Sequence, residues 1–485
     1  MAKWFDWLKE RMLIALDVDE KSILETEVNR HLGSERYKLL HKANEYYRNH
    51  TDIEQKMQDV SWKSNNKLRL GLFRKLVDQK VGYLLSKAPS VMYGDDSEEE
   101  LKVKEFIDEF FDEHFLRNLK SVGRDAVIKG VSYGLVYYDE EGSLRMTKIP
   151  GEQVIPFYAD ERREVVDAFL RIYNQEVYTL LGKKQEIHVE YWDTEGITYY
   201  KWESGHLQPN KAYDGIQPHF RYMDETGKVH NFNWERVPLI VFKYNENEQS
   251  FLDQVKSIID NLELQASVNA DLLADIPKFI YILKGYGGEE LEKFLSQLNL
   301  YKVIKVRDGS GGVDKLQADI NTEAVESEIA RSRKMLYEAG RAIDTQDENL
   351  GNASGQALKW RFTDLDLDAN DFENGLQSAI IHLMWFVVNH IRNRTGLVVD
   401  MKLFHYTFNR DVITNESEAI QDAQNSVGIL DARTIREQHP WYTPEVEARL
   451  EEENKQNAEK QDDYNFNSHG HDHPPEEDEK SKEKE

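Results

Sequence analysis

Four carboxylates fall within eight residues in Asp364-Leu-Asp-Leu-Asp-Ala-Asn-Asp371, the densest set of hard-metal ligands in the chain. A calcium loop needs a glycine at its sixth position for the turn and a glutamate at its twelfth as bidentate ligand, and Ala369 and Gly375 stand there instead. Two readings remain. A metal-dependent nuclease or phosphotransferase would use Asp364, Asp366 and Asp368; in the plainer reading the run is helical, with Asp364 and Asp368 sharing a face and repelling until a lysine or arginine of another segment or subunit pairs with them. Gly309-Ser-Gly-Gly312 lacks the Gly-Lys-Ser/Thr ending of a phosphate-binding loop, so the chain is not its own ATP motor by that route. His469, His471 and His473 lie in a polar tail with nothing to orient them, which makes an accidental metal trap rather than a built site. There is no cysteine, hence no disulfide, thiolate nucleophile or cysteine-based zinc site, and no nucleophile elbow. No catalytic residue, metal or cofactor is therefore assigned.

With 485 residues and 40% hydrophobic content the chain can bury a substantial core, about three domain-sized units. A formal charge of −27 excludes a protein built to grip phosphates, because that binding is driven by lysine and arginine displacing counterions. The N-terminal stretch is interrupted by charges and lacks the apolar core of a signal peptide. Ala379–Ile391 is too short to span a bilayer and contains His382 and His390. A soluble protein without a membrane partner is expected, with Trp4, Phe5, Trp7, Leu8 and Met12 packing an N-terminal helix onto the body.

The elements that would position these residues follow from periodicity. Leu72, Leu76, Gln79 and Tyr83 share a helix face that ends at Ala88-Pro89, since the residue before proline disfavours the α region. Glu98–Asn118 and Leu119–Lys129 read as two further helices. After Gly130 alternation takes over: Val131–Tyr138, a turn at Asp139–Gly142 and Leu144–Ile149 predict a hairpin. Strands follow at Val165–Tyr173, Glu186–Trp192, Thr198–Trp202 and Val237–Phe242, and their many tyrosines and tryptophans are expected to pack strands rather than stack bases. Phe251–Ile276 is a long helix with Val255, Ile258, Ile259, Leu262, Ala266 and Leu273 on one side, broken by Pro277. A small insert with strands at Phe279–Leu283 and Val303–Val306 separates it from a helix carrying Val325, Ile329, Leu336, Ala339 and Ile343. The last long helix, Gln356–Arg392, would be about 55 Å long and is expected to kink near Asp364–Asp371. Short capped helices follow: Asn415 and Glu418 form a capping box, Asp431 caps the next, and Thr443-Pro444 opens another. The charged end of the chain is expected to be disordered.

Between the last two long helices lies a short polar interval, Asp344–Gly355, with Leu350 as its one apolar anchor. The run Asn352-Ala-Ser-Gly-Gln-Ala-Leu-Lys-Trp360 that follows its acidic part resembles the portal proteins of long-tailed bacteriophages of Gram-positive hosts. So do, in order, the helix ending at Ala88-Pro89, the hairpin after Gly130, Val237–Asn245 before the long helix, and Gly428–Pro440 among the C-terminal helices. Together these stretches reach from about Lys67 to Glu453.

The resemblance implies an α+β multi-domain fold and a ring of usually twelve copies at one capsid vertex of the virion, assembled in the host cytoplasm. Double-stranded DNA would pass through its channel, driven by a separate terminase large subunit, with a head-tail adaptor, the major capsid protein and the scaffolding protein as further partners. It further implies N-terminal helices and an α+β wing at 1–245, stem helices at 246–277 and 323–343, and a clip at 278–322. A tunnel loop at 344–355, a long wing helix and return strand at 356–404, a helical crown at 405–460 and the acidic tail at 461–485 complete the division. Within the loop, Thr345, Gln346, Asp347, Glu348 and Asn349 would approach the DNA, and Asn352, Ser354 and Gly355 would form the tight junction to the next helix. An acidic lining suits a duplex that must slide, because tight phosphate contacts would hold it. An acidic scaffold or adaptor protein is the remaining alternative.

Overall fold

The computed structural model describes residues 3–10, 18–58, 63–94, 97–159, 161, 163, 165–179, 182–223, 226–275, 280–284, 312–316, 322–346, 355–410, 416–437, 439, 441–442, 446 and 449–450. It is an α+β chain that divides into two compact units, residues 1–350 with 360–411, and residues 351–359 with 412–485.

In the first unit, helix α1 (Lys3–Glu10) and helix α2 (Glu20–Gly33) cover an antiparallel sheet ordered β4 (Val154–Tyr158), β5 (Val166–Thr179), β6 (Gly182–Trp192), β7 (Ile197–Glu203) and β8 (His206–Pro209). Trp4 and Phe5 are buried against Ile155, Ala168 and Leu170, and the Trp4 indole donates to the Tyr191 hydroxyl at 3.1 Å, so α1 packs on the body as expected. The aromatic residues behave likewise: Trp192 stacks on Phe169 with centroids 5.5 Å apart and donates from Nε1 to Glu190 at 3.0 Å. The predicted hairpin is present as β2 (Val131–Tyr138) and β3 (Leu144–Ile149), with Gly142 at φ +81°, and β11 (Leu239–Lys243) pairs on the other side of β2.

The main core joins α3 (Glu35–Tyr47), α4 (Leu72–Leu85), α5 (Glu98–Phe110), α6 (Glu113–Lys129), α7 (Phe251–Asp275), α8 (Thr322–Ala339) and α9 (Gly355–Thr395). The expected helix Glu98–Asn118 ends instead at Phe110. Asp112 accepts from the Phe115 amide at 2.8 Å and starts α6, which absorbs the helix expected at 119–129. β1 (Ser90–Tyr93) pairs antiparallel with β14 (Phe404–Thr407), and β9 (Phe220–Met223) with β10 (Val229–Phe232). Of the small insert, β12 (Ile280–Lys284) and β13 (Gly312–Leu316) are described; the strand expected at Val303–Val306 lies outside the described residues.

Helix α9 corrects one expectation. Its assignment runs unbroken through Asp364–Asp371, where a kink was expected. No proline or glycine interrupts the ladder between Trp360 and Asn374. Its first glycine after that, Gly375, sits where a Cβ would lie 2.3 Å from the Lys243 carbonyl oxygen, so the helix crosses β11 at backbone contact.

Helix α7 corrects another. Val255, Ile259 and Leu262 are buried as predicted, but beyond Leu262 its buried positions are Glu263 and Ser267, whereas Leu264 and Leu273 are exposed. Its polar face holds an extended segment. The amides of Leu70, Leu68, Asn66 and Ser64 donate in turn to Glu263 (2.9 Å), Ser267 (2.9 Å), Asp271 (2.6 Å) and Asp275 (2.9 Å). Every fourth helix residue thus serves every second residue of the strap, and the Lys56 ammonium closes on Asp271. Side-chain acceptors satisfy backbone donors that have no sheet partner.

In the second unit, α10 (Glu416–Asn425) is followed by Gly428 at φ +88°. Asp431 caps α11 (Ala432–Glu437) by accepting from the Thr434 amide at 3.0 Å. Asn415, Thr443 and Pro444 lie outside the described residues.

Candidate functional site

Helix α8 ends in a tight turn: the Gly340 amide donates to Leu336 O at 2.9 Å, the Ala342 amide to Tyr337 O at 2.9 Å, and Arg341 takes φ +46°. The turn drives Ile343 inward. There the Gln79 side chain meets it edge-on, donating from Nε2 to the Ile343 carbonyl at 3.1 Å and accepting the Ile343 amide on Oε1 at 3.1 Å. One amide side chain thereby replaces a strand partner for both backbone groups of a buried residue, which would otherwise be costly to leave unpaired.

The next residues are held as firmly. Arg333 grips Asp344 with two parallel bonds, Nε to Oδ2 at 2.5 Å and Nη2 to Oδ1 at 2.7 Å, and the Gln346 amide donates to Asp344 Oδ1 at 3.1 Å. The hydrogen bonds from Arg333 are the main reason the Asp344 carboxyl titrates below its ordinary value of 3.8. Lys75 reaches the Thr345 hydroxyl at 3.1 Å. Thr345 and Gln346 themselves are exposed.

Helix α4 supplies most of these contacts and also reaches α9. Lys75, Gln79 and Tyr83 recur at intervals of four and so share one stripe. Tyr83 packs with Ile343, Leu365, Ala369 and Phe362 in a small cluster separate from the main core, and its hydroxyl donates to Asp366. Lys80, on the neighbouring stripe, places its ammonium 2.8 Å from Asp368 Oδ2 and 4.7 Å from the Phe251 ring centre. Burial pulls the Lys80 ammonium below its ordinary value, with the Asp368 charge acting against that. The Tyr244 hydroxyl donates to the second Asp368 oxygen at 2.7 Å. Arg410, following β14, bonds Asp366 Oδ1 at 3.3 Å, Asn370 at 2.5 Å and Glu373 at 2.6 Å.

The acidic run thus has the basic partners that the plainer reading required, Lys80 and Arg410, both from other segments of the same chain. Asp366 and Asp368 each accept from two donors, so their lone pairs hold α4, α9 and the end of β14 together, and Asp364 is exposed on the turn before them. The nuclease or phosphotransferase reading of Asp364, Asp366 and Asp368 finds no support in this geometry. Among the described residues no group of three histidine, aspartate or glutamate side chains is placed to hold a metal ion, and no helix is long and apolar enough to cross a membrane.

The residues expected to form the loop divide. Thr345 and Gln346 sit on the anchored root, and Gly355 begins α9. Asp347, Glu348, Asn349, Asn352 and Ser354, like His469, His471 and His473, lie outside the described residues. Sequence reasoning missed Gln79, Lys80, Arg333 and Arg410 as the groups that fix the site. Gln79 did leave a signal: a glutamine on an otherwise apolar stripe must find partners when it is buried.

An α+β chain whose long helices flank one short acidic interval, with both flanks secured to a single crossing helix, has the organisation of a portal subunit. The chain belongs to the phage portal proteins, in the family described as Phage portal protein, SPP1 Gp6-like, whose model matches residues 30–462. It is 32% identical over 437 residues to the portal protein of Bacillus phage SPP1, covering 87% of this chain and 84% of that protein. It is 29% identical over 448 residues to the portal protein of Clostridium phage phiCD119, covering 87% and 94% respectively.

Proposed function

We propose that copies of this chain close into a ring of about twelve around a central channel. Double-stranded DNA passes through that channel into the capsid under the power of a separate terminase and leaves by it at ejection. The ring sits at one vertex of the virion and offers a platform to head-tail connector proteins, with the capsid and scaffolding proteins as its neighbours. In this reading the chain has no enzymatic role of its own. Residues 1–245 form the wing, α7 and α8 the stem, 278–322 the clip and 405–460 the crown, and Asp344–Gly355 is the tunnel loop. Thr345–Asn349 approach the duplex, and Asp347 and Glu348 of each copy contribute to a negative ring that does not hold phosphates. Asn352, Ser354 and Gly355 form the junction into α9.

The observation that carries this reading is the root at Ile343–Gln346. Its backbone is fixed on both sides, and the chain then enters a polar acidic stretch, which is how a loop is held out from a body to act. Deleting residues 347–350 is expected to leave ring assembly intact, seen as a particle of about twelve times 56.8 kDa with a central opening. The same deletion is expected to abolish DNA packaging in a terminase-driven assay. Normal packaging by such rings refutes the loop assignment; a chain that stays monomeric under assembly conditions refutes the ring.

A further inference from the structure

We infer that helix α4 is the positioning element of the loop and that Gln79 sets the loop's place through the Ile343 backbone, an inference that rests on the loop reading above. The two flanks of the interval do not secure each other. The Ile343 side is held by Gln79 and Lys75, and the α9 side by Lys80 and Tyr83, all four from two turns of α4. The packing repeats this arrangement: Tyr83 lies between Ile343 and the Leu365–Ala369 turn in a cluster with its own boundary. A force on the loop therefore passes into α4 before it reaches the rest of the chain. Of the contacts at the Ile343 side, only the Gln79 amide engages the backbone itself, taking both the donor and the acceptor of Ile343. Lys75 and Arg333 hold side chains, which can rotate while the backbone shifts.

The absence of cysteine makes the test direct. A single cysteine replacing the exposed Gln346 carries a nitroxide whose mobility is read in assembled rings. Gln79→Met keeps the length and packing of the side chain and removes both hydrogen bonds. The anchored population is then expected to fall about tenfold, the effect of losing two neutral hydrogen bonds. The nitroxide spectrum should gain a mobile component, ring mass should stay unchanged, and packaging should slow. An unchanged spectrum overturns the inference, and so does a mobile loop with normal packaging in a chain whose 347–350 deletion blocks packaging. If the label is freed while both that deletion and Gln79→Met package normally, the anchor exists and the channel reading is what fails. Should Gln79→Met not assemble, Asp344→Asn weakens the root from the side-chain end, and an immobile label there overturns the inference equally.

Discussion

Replacing Lys80 with methionine tests whether the acidic run is structural. Lys80 is 3% exposed, its ammonium is 2.8 Å from Asp368, and the Asp368 side chain is 13% exposed. Removing one partner of a buried pair typically costs about 3–5 kcal/mol, because the other charge stays buried and uncompensated. Asp368 retains the Tyr244 hydroxyl at 2.7 Å and some access to water, which places Lys80→Met at the lower end, about 3 kcal/mol. Adding Asp368→Asn removes the stranded charge while keeping an acceptor for Tyr244, so the double variant should return to within about 1 kcal/mol of the parent. Urea unfolding reads both values: with a slope of about 3 kcal/mol per molar, Lys80→Met lowers the midpoint by about 1 M and the double variant restores most of it. The pH dependence has a definite sign. Burial holds the folded-state Lys80 below its ordinary 10.5, so the unfolded chain binds the extra proton in the window beneath 10.5. Stability carried by Lys80 therefore rises with pH in that window, and the methionine variant loses this slope. A single variant that costs less than about 1 kcal/mol, or a double variant as unstable as the single one, refutes the reasoning.

Two further predictions concern close approach and the strap. Gly375→Ala, which in an exposed helix would stabilise, should cost about 3 kcal/mol or more, because the added Cβ meets the Lys243 carbonyl oxygen at 2.3 Å and neither backbone can give way; an unchanged melting temperature would show that α9 and β11 are free to part. Burial raises the Glu263 carboxyl above its ordinary 4.5 despite hydrogen bonds from Thr51 and Leu70, so the folded chain holds that proton more tightly and stability falls as pH rises from 4.5 through the raised value. Glu263→Gln is expected to flatten that fall, measured as unfolding midpoints across the acid range, and a slope identical to the parent's rules Glu263 out as its source.

The long helices were legible because burial and period coincide: Leu376, Ile380, Leu383, Met384, Val387 and Ile391 are all buried along α9. The hairpin after Gly130 was legible for the same reason, with a period of two and a glycine turn. What escaped was whatever depends on side chains reaching across the fold. The outer half of α7 shows leucines at helical spacing, yet Leu264, Leu272 and Leu273 are exposed while Glu263 and Ser267 are buried, because an extended segment brought unpaired amides to that face. The kink was expected from length alone. The unbroken helix instead has its carboxylates drawn against α4 by Lys80 and Tyr83, which no local pattern around Asp364–Asp371 announces. β1 and β14 pair across more than three hundred residues, so neither short run carried enough signal alone. The order of motifs along the chain pointed to the portal family, because it does not depend on resolving any one of these contacts.

The strap on α7 works as a vernier. Four helix residues advance about 6.0 Å and two extended residues about 6.7 Å. Successive rungs drift apart by some fraction of an ångström, and across the spacings from Glu263 to Asp275 the drift reaches about 2 Å. A long carboxylate at one end, a short hydroxyl next and two aspartates beyond can absorb that much and little more. The two unequal scales come into phase over a finite length, so the match itself measures out how far the segment follows the helix before it must part from it.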